Sequence, residues 1–255
     1  MPVFEHDKDR PDSIEARAAQ EDPSVMYLVV RKTHGASLEA LLVASARATL
    51  HALAEWGAHP RYAAEFAHWS NHSFRKVCLR ASDKDFARVM ELDGGDGRAG
   101  DEVIVRALPP RRKSAREKLL VQLQAYTAEP SELPSRAIEV DDEAPVMVFV
   151  VNGAVPMRAG KLAAQIGHAV LLAVSVFARS EVDRDALTRW LESDARAVVR
   201  RAGGETWEAL KREERCALVR DAGLTEVAQG SETFLALCPR ERSKWSARVA
   251  ALSPL

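Results

Sequence analysis

Apolar residues fall in two rhythms along this chain, and the two rhythms alternate. Short unbroken runs rich in β-branched residues predict buried strands, and longer stretches with recurring apolar positions predict helices. The first run is VMYLVV at residues 25–30. An alanine-rich stretch, SLEALLVASARATLHALAEW, follows at 37–56, with Ser37 placed as its helix N-cap. RKVCLRA (75–81) reads as a strand, and SDKDFARVMEL (82–92) as a helix opened by Ser82 or Asp83. GGDGRAG (94–100) has the composition of a turn, DEVIVRAL (101–108) that of a strand, and SAREKLLVQLQAY (114–126) that of a closing helix.

TAEPSELPSRAIEVDDEAP then breaks the rhythm, with three prolines, many acids and no periodicity, which predicts a linker at 127–144. The order restarts after it. VMVFVV (146–151) is a strand and AGKLAAQIGHAVLLAVSVFA (159–178) a long helix. A helix is expected at 183–193, a strand at 196–202 and a helix at 204–214. Strands are expected at 216–222 and 232–238, and ERSKWSARVAAL (241–252) closes as a helix.

Set Met26 over Met147 and the two halves run in parallel: VMYLVV lies over VMVFVV, Leu41 over Leu162, Ala48 over Ala169. Later, DEVIVRALPPRRKSAREKLLVQLQ parallels SETFLALCPRERSKWSARVAALSP. The expectation is an α/β fold of two tandem three-layer α/β/α domains, each with a small mixed sheet covered by helices on both faces. The layout is a disordered tail at 1–24, a first domain at 25–126, the linker, and a second domain at 145–255.

Net charge is -1, so no global basic field advertises nucleic acid. Residues 144–255 hold 16 Lys and Arg against 13 Asp and Glu, a slight excess that permits an RNA ligand without requiring one. Three scattered cysteines without a C-x-x-C pair argue against a disulfide framework or a cysteine metal site, and fit a reducing compartment. The polar, acidic start is unlike a signal peptide, and no apolar run nears the ~18 residues of a membrane span, so a cytoplasmic protein is expected.

Two clusters carry candidate chemistry. In VMVFVVNGAVPMRAGKLAAQIGHAVLLAV a strand, two glycines and a lysine imitate a phosphate-binding loop. The spacing of Gly153 and Gly160 is wrong for G-x-x-x-x-G-K-[ST], Leu162 replaces the hydroxyl residue, and Pro156 removes an amide N–H. What remains is a polar stripe, Lys161, Gln165 and His168, on an otherwise apolar helix. Such a stripe fits a cleft, and equally a surface lysine, a backbone-bonded glutamine and a satisfied core histidine. In RDAGLTEVAQGSETF, Asp221, Thr225, Ser231 and Thr233 sit at strand ends, where open α/β sheets place ligands. The same residues also suit a self-bonded turn.

Together these clusters resemble the type-two peptidyl-tRNA hydrolase family. The chain reads VVNGAVPMRAGKLAAQIGHA against R-x-D-L and M-x-K-G-K-x-A-A-Q-x-x-H-A, and DAGLTEVAQGSETFLALCP against D-A-G-x-T-x-I/V-x-x-G-[ST]-x-T and a proline. The resemblance covers residues 145–255. It implies a compact α/β/α domain, usually homodimeric, that hydrolyses the ester joining a peptide to the 3′ ribose of tRNA. No metal or cofactor is implied. The implied catalytic residues are Lys161, His168, Asp221 and Thr225, and the implied substrate-binding residues are Gln165, Ser231 and Thr233, to which Arg158 is added as a neighbouring cation outside the motif match.

Asn152, Ala154 and Ala159 stand where the family has Arg, Asp and the first Lys of K-G-K, with Arg158 one residue away. In the first half, Arg31 keeps the family arginine. Ala40, Ala44 and Arg47 occupy the places of Lys161, Gln165 and His168, and the D-A-G-x-T segment is missing. The expectation is a pseudo-dimer in which the first domain takes the place of a partner subunit, with tRNA as ligand and further self-association open. The rival readings are a non-catalytic RNA- or protein-binding descendant, and a hydrolase of another acylated small molecule.

Overall fold

The computed structural model describes residues 21–140 and 143–255. The predicted tail falls almost wholly outside them. The first unit runs β1 (Ser24–Arg31), α1 (Leu38–Trp56), α2 (Ala63–His68), β2 (Arg75–Ala81), α3 (Asp83–Met90), β3 (Gly95–Ala99) and β4 (Glu102–Ala107). It ends in β5 (Arg111–Arg112), α4 (Lys118–Gln122) and β6 (Gln124–Ala125). The second runs β7 (Pro145–Asn152), α5 (Ala159–Phe177), α6 (Glu181–Glu192), β8 (Ala197–Ala202), α7 (Gly204–Glu213), β9 (Cys216–Arg220) and β10 (Glu232–Leu237). It ends in β11 (Arg240–Glu241), α8 (Ala247–Ala250) and β12 (Ser253–Pro254).

Each unit builds one mixed sheet, and the two sheets match strand by strand. The first has the order β3-β4-β1-β2-β6 with β5 beside β1, and the second β9-β10-β7-β8-β12 with β11 beside β7. In both, the pair that follows the long helix crossover is parallel and the rest are antiparallel. The registers agree as well. Met26 faces Lys76 as Met147 faces Ala197, Leu28 faces Ala107 as Phe149 faces Ala236, and Val25 faces Arg111 as Val146 faces Arg240.

The central helices explain why the strands are apolar on both faces. Helices α1 and α5 are apolar nearly all round, which requires burial on more than one side. They pack against each other, and one apolar core runs from Met26 and Leu28 through Leu41 and Ile166 to Phe149 and Phe234. The outer faces close separately, Tyr27 and Val29 under Phe86 and Leu120, and Val148 and Val198 under Trp207 and Val249. Ser37 and Ser82 cap their helices through Ala40 N and Asp85 N, as their positions predict.

Four expectations change. GGDGRAG is mostly strand β3, because glycine there lets the backbone lie directly on α1: a Cβ on Gly97 would sit 1.9 Å from the Ala44 carbonyl oxygen. The closing helices expected at 114–126 and 241–252 each break into a 3-10 turn and a short α-helix before an edge strand, the second restarting where Ser246 caps Val249 N. Helix α2 and the π-turn after it fall where the sequence reading placed no element. Finally, α5 is long and apolar enough to cross a membrane by length and composition, against the expectation of no such run, but 78% of that stretch is buried inside the protein.

The linker is a packed strap. The Ala128 carbonyl accepts from Ala159 N, the Pro134 carbonyl from Leu38 N, and Ile138 N donates to the carboxylate of Glu39. It thus supplies acceptors to the N-termini of both α5 and α1, whose first amides have no partner within the helix.

Candidate functional site

The site forms where α5 begins and β9 ends, at the carboxyl edge of the second sheet, where this class of sheet gathers ligands. Arg220 closes β9, and the loop of residues 221–231 returns the chain to β10. The first unit makes the same return with only Gly100 and Asp101. The longer loop is pinned to itself: Gly230 N donates to the Asp221 carbonyl and Asp221 N to the Ser231 carbonyl. Gly223 has φ +74, and a Cβ there would meet Gln229 N at 2.6 Å, so glycine alone suits that turn.

This loop turns Asp221 inward against α5. The carboxylate is buried, and three donors reach it: Lys161 Nζ at 2.5 Å and Gln165 Nε2 at 2.6 Å on Oδ2, and Gly223 N at 2.8 Å on Oδ1. Lys161 Nζ also donates to Thr225 Oγ1 at 2.9 Å. Behind them, fully buried Thr233 donates to Gln165 Oε1 at 2.8 Å, which fixes the amide so that its NH₂ faces Asp221. A relay therefore runs from β10 through α5 to the carboxylate, and a lysine bridges the carboxylate to a hydroxyl. Ammonium, carboxylate and hydroxyl converge at one mouth, where Lys161 keeps a third N–H and Thr225 its own O–H for a ligand.

The other predicted residues lie elsewhere. Ser231 contributes its backbone carbonyl to Asp221 N. Arg158 turns away: its Nε pairs with Glu129 on the strap at 2.9 Å and its amide donates to Glu226. His168 sits two turns along α5, against the first unit, where its Nδ1 is 3.1 Å from Lys76 Nζ and its ring packs at a tilt against Phe74. The stripe read from the helix is real, but its far end faces the joint between the units.

The three departures from the family signature also find places. Asn152 ties the end of β7, donating to the Glu232 carbonyl and accepting from Ala154 N. Ala159 is fully buried in the apolar core, with its amide bonded to the strap, so a lysine there would bury a charge. Two contributors were missed by the sequence reading. The Gly223 amide could have been anticipated from the glycine of D-A-G. The strap residue Glu129 carries no sequence signal. Beside the site, Glu232 accepts from Trp207, Lys211 and Arg220. Burial pushes its carboxyl up, but the Lys211 and Trp207 bonds outweigh it and hold it below the usual carboxylate range.

Residues 145–254 match the model of the family described as peptidyl-tRNA hydrolase PTH2. The peptidyl-tRNA hydrolase of Methanopyrus kandleri is 38% identical over 114 residues, covering 42% of this chain and 95% of that protein. The chain belongs to this family. A second relative, the probable peptidyl-tRNA hydrolase 2 of Schizosaccharomyces pombe, is 35% identical over 99 residues, which span 36% of the chain and 47% of that protein. The family match begins with β7 and takes in both α5 and the 221–231 loop, so Lys161, Gln165, Asp221, Thr225 and Thr233 all lie inside it.

Proposed function

We propose that the second unit hydrolyses the ester between a peptidyl or N-blocked aminoacyl group and the 3′ ribose of tRNA. The observation that carries this reading is the Lys161 ammonium bridging buried Asp221 to Thr225. In the reaction, Asp221 and Thr225 hold a water, and Asp221 takes its proton as the oxygen attacks the ester carbonyl. The third N–H of Lys161 meets the developing oxyanion. Collapse of the tetrahedral intermediate breaks the bond to the ribose oxygen, which leaves as a hydroxyl after taking the proton back. Gln165 and Thr233 hold the carboxylate in place, and Ser231 holds the loop. His168 acts at a distance as a positioning residue on α5, and Arg158 meets phosphate once released from Glu129.

The first unit is read as a degenerate copy that takes the part of a homodimer's second subunit; the matching sheets and the packing of α1 on α5 support this. The proposed domains are 25–126 and 145–255. The substrate places the protein in the cytoplasm, and its affinity for tRNA falls steeply with salt. A non-catalytic RNA- or protein-binding role is the second reading, favoured by Asn152, Ala154 and Ala159 at signature positions. Incubation with N-acetylaminoacyl-tRNA distinguishes them. Release of the N-acetyl amino acid with intact tRNA, lost in K161A, supports hydrolysis; no release above background moves the reading to binding.

A further inference from the structure

A cavity of about 470 Å³ opens in the first unit. Its walls come from the β1–α1 loop (His34, Ser37), the first turn of α1 (Ala40), the end of β3 and the turn after it (Ala99, Gly100) and the strap (Arg136). The matched registers make it the counterpart of the Lys161–Asp221 site. Because β1 pairs as β7 does, Ser37 stands in the place of Arg158 and Ala40 in that of Lys161. Because β3 meets β4 as β9 meets β10, with the bulge at the same place, Arg98 stands where Arg220 does and Ala99 where Asp221 does. The Lys161–Asp221 ion pair of one unit is thus replaced by Ala40 and Ala99 in the other, and both alanines line this cavity.

The remaining groups define what fits. Among the described residues that line it, Arg136 carries the only charge and stands exposed at the rim. His34 adds none. Its Nδ1 accepts from Ala36 N at 3.0 Å, so the ring proton lies on Nε2, facing Tyr126 Oη at 3.3 Å, and burial lowers its basicity further. Ser37 Oγ accepts from Ala40 N and keeps its own hydrogen to donate. The walls are otherwise alanine, glycine, proline and isoleucine. A guanidinium and a hydroxyl on an otherwise apolar lining suit one anionic head on an apolar body.

We propose that this cavity binds a small organic anion, its carboxylate or phosphate on Arg136 and Ser37 and its apolar part against Ala40, Ala99 and Ile138. N-acyl amino acids and nucleoside monophosphates share that chemistry. The site needs no catalysis and stands apart from the hydrolase reading.

Calorimetric titration of the full chain with N-acetylphenylalanine, and separately with adenosine monophosphate, tests it. Binding of either at one site per chain is expected. R136A should weaken it by about tenfold or more, since a charge-assisted pair is lost. A40L, which fills the hollow, should abolish it, and K161A should leave it unchanged. Circular dichroism confirms that A40L is folded, and the exposed R136A does not depend on that check. The proposal is overturned if neither probe binds, if K161A abolishes binding, or if R136A and A40L bind as the parent does.

Discussion

Replacing Thr233 with valine removes one hydroxyl and almost nothing else. The residue is fully buried on β10, and its Oγ1 donates to Gln165 Oε1 at 2.8 Å, with the Val219 carbonyl further off at 3.4 Å. Valine has the same shape, so packing survives. The loss is one neutral hydrogen bond, plus the cost of a buried Gln165 oxygen without a donor, together about 1–3 kcal/mol of stability. The freed amide can also rotate, which takes a donor from Asp221 Oδ2. The expected kinetic result is a fall in kcat of about tenfold with KM little changed, as for a group that acts through the transition state. Urea unfolding at neutral pH measures the first effect, and hydrolysis of N-acetylaminoacyl-tRNA the second. The double variant T233V/Q165L should be less damaged in stability than the sum of its parts, by about 1 kcal/mol, because both changes remove the same bond. Strict additivity, with kcat unchanged in T233V, would refute the relay.

Other expectations test the frame. E39A should destabilise by about 3–5 kcal/mol, because the buried Glu39 carboxylate accepts from Val199 N, Arg200 and Ile138 N across the two units, and E39A/R200M should recover part of that loss in the same urea titration. K76M should raise stability. Burial holds the Lys76 ammonium well below its ordinary basicity, so the unfolded chain holds this proton more tightly than the folded chain, and the penalty on folding grows as pH falls below about 10.5. The gain in melting temperature should therefore be larger at pH 7 than at pH 10, and an equal gain at both would count against a lowered Lys76 basicity. G97A should cost more than about 1 kcal/mol in urea unfolding, since its Cβ has no room beside the Ala44 carbonyl.

Periodicity made the central strands and long helices legible, because residues such as Val29 and Ile166 are apolar for reasons that act locally. The polar pair Lys161 and Gln165 could be placed on one helix face, and Asp221 and Thr225 at a strand end. Nothing in that reading could show that the carboxylate would meet the lysine, because their contact spans 60 residues. His168 was harder. Its spacing is that of the stripe, but two turns of helix carry it to the first unit, and Lys76, its partner there, gave no sign in the sequence. GGDGRAG misled because glycine marks both turns and close backbone packing, and only the presence of α1 decides between them. The strap looked like a spacer because its contacts are made by backbone carbonyls, which composition does not reveal.

The most direct measurement is the rate at which D221N releases N-acetylphenylalanine from its tRNA under single-turnover conditions, set against the parent chain. Asparagine keeps the shape of the site and removes the base. A fall of about 100-fold or more is predicted, with tRNA binding retained. Release by D221N at the parent rate would contradict the assignment of this carboxylate, and with it the account of the site.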